Sequence, residues 1–178
     1  MGNCFTRVNT HHTPHTPHTP HTTVSEHPSI VRAKFIIEQW TCGGGRVLDL
    51  SNLGLSYLPE IPEGVITLYC NNNELTQIPN NLPSTLQHLY CYDNLLTSLP
   101  DNLPHGLTHI YAYKNRMTQF PSVLPQGLKY LWLNHNLIES GTFTIPSSLV
   151  SLSLLNNNIT TYQLVFSGNP TLLKIYTN

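Results

Sequence analysis

The chain begins Met-Gly-Asn-Cys-Phe-Thr. Once Met1 is removed, a glycine amine with a hydroxyl residue four positions on is an acceptor pattern for myristate, and the neighbouring Cys4 thiol is placed to carry palmitate as a thioester. A second acyl chain is physically required, because a single myristoyl group gives only marginal, reversible attachment to a bilayer. Arg7 is the one Lys or Arg close enough to assist electrostatically. Gly2 and Cys4 are therefore read as a dual lipid anchor. Behind them runs a His-Thr-Pro stutter, and metal ligation is the chemistry it first suggests. Such a tract favours polyproline II, with three residues per turn and about 3.1 Å per residue. His12, His15, His18 and His21 then share one edge at about 9 Å intervals, too far apart to converge on one ion. The tract is read as a spacer with no metal, in which Thr13, Thr16 and Thr19, each before a proline, are candidate phosphorylation positions.

Catalysis finds little support. A base, its orienting partner and a nucleophile must meet in space, and His135 with two separated aspartates (Asp49 and Asp93) offers no such set. The chain is read as non-enzymatic and without a cofactor. Its formal net charge is -1, only 10% of its residues are charged, and its eight Lys and Arg are scattered from Arg7 to Lys174. No basic field exists for a phosphate backbone, which argues against nucleic acid. No apolar run approaches a spanning helix and no secretory signal is recognisable, so the chain is expected to keep its own N-terminus in a reducing compartment. Cys4, Cys42, Cys70 and Cys91 are accordingly expected as free thiols, and the Asn158-Ile159-Thr160 sequon is discounted.

The elements that position these residues come from a repeat. "LYCNNNELTQIPNNLPSTLQH", "LYCYDNLLTSLPDNLPHGLTH", "IYAYKNRMTQFPSVLPQGLKY" and "LWLNHNLIESGTFTIPSSLVS" follow one another without a gap. Leu48, Leu68, Leu89, Ile110, Leu131, Leu152 and Ile175 open seven strands spaced by 20 to 23 residues. This is a leucine-rich repeat, too short for a helix on its outer side, so about half of each unit is expected to be extended or polyproline-like. Leu68, Leu75, Ile78, Leu82 and Leu86, with their equivalents, should point inward and bury a stack that no single repeat could bury alone. Cys70 and Cys91 share the third strand position with Leu50, Ala112, Leu133 and Leu154 and should be buried. Asn73, Asn94, Asn115, Asn136 and Asn157 recur where the chain leaves the strand, where their amides can pair with backbone groups the turn leaves unsatisfied.

The "LxxLPxxLPxxL" units, entered through "LDLSNLGLSYLPEIPEG", resemble the short repeats of the bacterial effector proteins of the YopM and IpaH type over residues 29–159. The resemblance implies a helical cap ahead of the first repeat. The residues point the same way: Ile30, Val31, Phe35, Ile36, Ile37 and Trp40 form an apolar face over 29–40 that Gly43-Gly44-Gly45 should stop. Effectors of this type with ubiquitin-ligase activity carry a helical domain with a Cys-x-Asp nucleophile after the repeats, and no such motif follows the repeats here. Leu53 stands where the repeat has Asn, and "SGTFT" replaces the first proline region of one unit; both read as edge irregularities. The expected fold is a leucine-rich-repeat solenoid with a parallel β-sheet on its concave face, an extended or polyproline-like convex side and an N-terminal helical cap. The expected organisation is an acylation segment at 1–10, a disordered spacer at 11–28, the cap at 29–45 and the repeats at 46–178.

Strand positions two, four and five should face the concave side. Position two places Tyr69, Tyr90, Tyr111 and Trp132 in one column, Tyr92 and Tyr113 begin a second, and His135 stands at position five. Rigid amphipathic rings of this kind make interaction hot spots, while cross-strand stacking that merely stabilises the sheet is the blander alternative. The reading is a non-catalytic protein-binding adaptor, tethered to the cytoplasmic face of a eukaryotic host membrane through Gly2 and Cys4. It binds an unidentified protein through Tyr69, Tyr90, Tyr92, Tyr111, Tyr113, Trp132 and His135. The alternatives are a substrate-recognition arm of a ligase-type effector lacking its catalytic domain, and a soluble scaffold.

Overall fold

The computed structural model describes residues 26–169 and 173–177. Its first element is α1, Pro28–Gly43. Pro28 lies in the first turn, where its missing N–H costs nothing, and the His27 side chain accepts from Ser29 N. At the far end Gly44 takes a left-handed φ of 65° and returns its N–H to Trp40 O at 3.0 Å. Ile30 and Ala33 are buried, and Ile36, Ile37 and Trp40 pack partly against the core. The helix thus caps the first repeat, but not with the whole face expected of it. Val31 and Phe35 remain 53% and 59% exposed. At 3.6 residues per turn, Ile30, Ala33, Ile37 and Trp40 form one stripe and Val31 and Phe35 the next one round.

Among the described residues nine strands follow: β1 Val47–Asp49, β2 Thr67–Tyr69, β3 His88–Tyr90, β4 His109–Tyr111, β5 Tyr130–Trp132, β6 Glu139–Ile145, β7 Ser151–Ser153, β8 Asn158–Phe166 and β9 Lys174–Tyr176. Seven form one parallel sheet in the order β1-β2-β3-β4-β5-β7-β9. Leu48, Leu68, Leu89, Ile110, Leu131, Leu152 and Ile175 lie side by side across it, in the register the spacing predicts. The first six of these are buried, as are Leu50, Cys70, Cys91, Ala112, Leu133 and Leu154 at the third position. Leu75, Ile78, Leu82 and Leu86 complete the inward set of their unit.

After each of the first six strands of this sheet the chain turns through one left-handed residue: Asn52, Asn72, Asp93, Lys114, His135 or Asn156, with φ between 53° and 58°. Asn, Asp and His tolerate that region better than most residues. Immediately after the later turns stand the Asn ladder residues. Asn94, for example, accepts from Leu75 N at 3.0 Å and donates to Cys70 O and Cys91 O at 3.0 and 3.1 Å. The repeated asparagines are thus a backbone-satisfying device, as their position predicts.

The outer side is extended through the proline-bearing units, and Pro83, Pro104 and Pro125 each start a turn whose carbonyl accepts from the N–H three residues on. The "SGTFT" stretch is more than an edge irregularity: it lies within β6, which pairs in parallel with β8 in a second, two-stranded sheet. A proline would remove a ladder donor, and here the segment carries Thr142, Phe143, Thr144 and Ile145 instead, residues that suit a strand. Cys70 and Cys91 are free and buried, and burial pushes the Cys91 thiol up to about 12 and raises Cys70 as well. The Cys42 side chain stands exposed at the end of α1.

Candidate functional site: the concave aromatic face

A strand of three residues with its middle residue buried turns its first and third residues to the other face of the sheet. The third residues form the expected column. Tyr69 stacks on Tyr90 with ring centroids 4.5 Å apart, and Tyr90 on Tyr111 at 4.8 Å; Trp132 closes the series 4.9 Å from Tyr111, its plane at 85°. Tyr92 and Tyr113 stack at 4.5 Å and 5° in the second column. The tyrosines are partly buried and Trp132 is 38% exposed. Burial, reinforced by neighbouring phenols, holds Tyr90, Tyr111 and Tyr113 above the usual phenol range, so these rings stay neutral around neutral pH.

The first residues of the strands form a third column that a frame starting at the buried leucine leaves out. His88 packs edge-on against His109 at 4.6 Å, and His109 stacks on Tyr130 at 4.6 Å. Thr67 Oγ1 lies 3.1 Å from His88 Nδ1, and Thr108 Oγ1 lies 2.8 Å from His109 Nδ1. Burial, with His88 and Lys129 nearby, lowers the His109 pKa from its ordinary value. His109 also lies 6.2 Å from Tyr111, which joins this column to the aromatic one. The alternation of a strand is the signal that finds these residues: the residue before a buried leucine faces the same way as the residue after it.

Position five is a rim rather than part of the sheet surface. Lys114 Nζ reaches Asp93 at 3.2 Å across neighbouring turns, and the His135 ring lies 3.1 Å from Asn156 Nδ2. His135 therefore stands beside the aromatic columns with an amide as its neighbour. At the β5–β9 end the face dips into a cavity of about 410 Å³ lined by Tyr113, Trp132, Asn134, Ser151, Ser153, Leu155 and Tyr176.

This architecture recurs in solved structures. YopM from Yersinia enterocolitica WA-314 matches 88% of the chain with a TM-score of 0.62 at 24% identity. A leucine-rich effector, YopM from Yersinia pestis, matches 83% with a TM-score of 0.52 at 22% identity. The fold is that of the leucine-rich-repeat effectors. A Shigella effector LRR domain matches 86% of the chain, and 91% of its own length is covered, at 21% identity and a TM-score of 0.43. The chain spans 39% and 60% of the two YopM chains. No family model matches the sequence, and no curated protein matches it.

Within the leucine-rich-repeat frame the structure brings together Tyr69, Tyr90, Tyr92, Tyr111, Tyr113 and Trp132, with His135 at their rim. Gly2, Cys4 and the His-Thr-Pro tract lie outside the described residues. Among the described residues no three His, Cys, Asp or Glu side chains group as a metal site, and no helix is long and apolar enough to cross a membrane.

Proposed function

We propose that this chain is a non-catalytic adaptor that binds a protein on its concave face and is held at the cytoplasmic face of a host-cell membrane by acyl groups on Gly2 and Cys4. In this reading it is an effector working inside a eukaryotic cell, where N-myristoylation takes place. The observation that carries the binding role is the run of rings Tyr69, Tyr90, Tyr111 and Trp132, spaced at 4.5 to 4.9 Å and flanked by a column on each side. Rings already fixed by their neighbours lose little freedom when a partner covers them, so more of the burial energy is left for affinity. The patch is contiguous and uncharged, which favours a protein surface over a phosphate backbone.

Affinity capture from a eukaryotic lysate, with variants and thermal midpoints measured side by side, tests both halves. Tyr111→Ala or Trp132→Ala should weaken capture at least about tenfold, the effect of losing a central anchor worth about 1.4 kcal/mol or more. Gln77→Ala and Gln119→Ala, exposed on the convex side, should bind as wild type. Aromatic variants that melt earlier yet bind unchanged would reduce the ladder to sheet stacking. In cell fractions, Gly2→Ala and Cys4→Ser should each move the protein from the membrane pellet to the supernatant. A Cys4→Ser protein that stays in the pellet removes palmitate as the second anchor.

A further inference from the structure

The aromatic ladder has a vacant rung. Across the third strand residues the series runs Tyr69, Tyr90, Tyr111, Trp132, Ser153, Tyr176, each the registered partner of the next. Rings recur every 4.5 to 4.9 Å up to Trp132, close to the strand spacing of about 4.8 Å, so Trp132 and Tyr176 stand two strands, or about 9.6 Å, apart. Only the Ser153 side chain lies between them. Ser151 is likewise small beside Tyr130 in the neighbouring column. The two serines floor the cavity of about 410 Å³, and Trp132 and Tyr176 stand on either side of it.

We propose that this slot takes the side chain of one tyrosine from a protein partner, inserted as the missing rung; the proposal rests on the concave-face reading given above. Three observations select the occupant. The gap has the width of one aromatic ring, and a ring entering it meets Trp132 and Tyr176 in stacked or edge-to-face contact. Ser151 and Ser153 are only 8% and 7% exposed, yet neither hydroxyl bonds to another described residue. A ring entering from above points its far end at these hydroxyls, where a phenol O–H satisfies them and a bare phenyl ring would shut them away from water unpaired. Lys174 lies beside Ser151 across the β7–β9 pair, and among the described residues no carboxylate lines the slot, so a lysine or arginine side chain is disfavoured.

The test uses the full chain and N-acetyl-tyrosinamide as the probe. Trp40 and Trp132 are the two tryptophans, so two indole N–H signals report by NMR, one from the cap and one from the slot. The probe should shift the Trp132 signal saturably and leave Trp40 unmoved. N-acetyl-phenylalaninamide should bind at least about threefold more weakly, and N-acetyl-lysinamide should give no saturable shift. Ser153→Tyr, which supplies the rung in cis, should abolish the response while keeping the spectrum folded, and Tyr176→Ala, an exposed edge position, should weaken it independently. No saturation at tens of millimolar, an equal response in both variants, or equal binding of the lysine probe overturns the proposal. Should the slot fail in this way while partner capture remains sensitive to Tyr111→Ala, the vacant rung is wrong and the concave-face reading stands.

Discussion

Asn73→Ala and Asn115→Ala delete the same side chain from the same repeat position, and the structure assigns them different costs. Asn73 Oδ1 accepts from Leu53 N and Leu55 N, both at 3.0 Å, while its Nδ2 donates to Leu50 O at 2.9 Å and Cys70 O at 3.0 Å. Asn115 accepts from one backbone N–H, that of Leu96, at 2.9 Å, and donates to Cys91 O and Ala112 O at 3.1 Å. Without Asn115, Cys91 O keeps the Asn94 amide at 3.1 Å and Ala112 O keeps the Asn136 amide at 3.0 Å, so only Leu96 N–H is stranded. Without Asn73, the Leu53 and Leu55 N–H groups and Leu50 O all lose their partner, and Cys70 O alone keeps one, from Asn94. A buried polar group left unpaired costs about 1–3 kcal/mol. Asn115→Ala should therefore cost about 1–3 kcal/mol. Asn73→Ala should cost about 3–6 kcal/mol, less than three full penalties because Leu53 is partly exposed and water reaches it. Urea unfolding monitored by circular dichroism gives both values, provided the slope with denaturant is unchanged. Equal losses, or a larger loss for Asn115→Ala, would refute the idea that shared carbonyls make the middle of the ladder redundant.

Leu89→Asp places an unpaired carboxylate in the leucine stack and should unfold the domain, whereas Tyr90→Ala on the other face of the same strand should lose only two ring contacts, about 1–3 kcal/mol, and stay folded by circular dichroism. His109 is pulled below its ordinary value of 6.5 by burial first, then by His88 and Lys129. As pH falls, the unfolded chain binds a proton before this histidine does in the fold, so its contribution is complete above about pH 6.5 and is lost toward the lower folded-state pKa. His109→Gln should accordingly remove part of the fall in thermal midpoint between pH 7 and 5, and an unchanged pH profile would take His109 out of that effect.

The parts of the fold carried by repetition are legible in the sequence. Leu, Asn and Pro recur at fixed spacing because one backbone geometry recurs, and seven strands in correct register follow from that alone. Features that depend on a difference between repeats are harder to see. The third column, with His88, His109 and Tyr130, changes residue type from strand to strand, so repetition gives it no signal, and only alternation about Leu89, Ile110 and Leu131 does. The second sheet announces itself by missing prolines, a deletion that reads as irregularity until β6 and β8 are seen paired. In the cap, counting large apolar residues selects Val31 and Phe35, while the stripe that packs runs through Ala33, whose small side chain lets the helix approach the first repeat.

The same contrast bears on what the ladder is for. A stack of rings that served only to stabilise the sheet would gain from running through every strand, since each additional aromatic contact contributes about 0.5–1.5 kcal/mol beyond simple burial. In this chain it runs from β2 to β5, stops at Ser151 and Ser153 and resumes with Tyr176. The interruption forgoes two ring contacts at the site where a cavity opens, lined by two serine hydroxyls that bond to no other described residue. Ser153→Tyr should recover them, raising the thermal midpoint as it closes the cavity. A variant that stays folded but melts no later than wild type would mean that the β7 position rejects a ring for steric reasons, and the gap would then be a feature of packing alone.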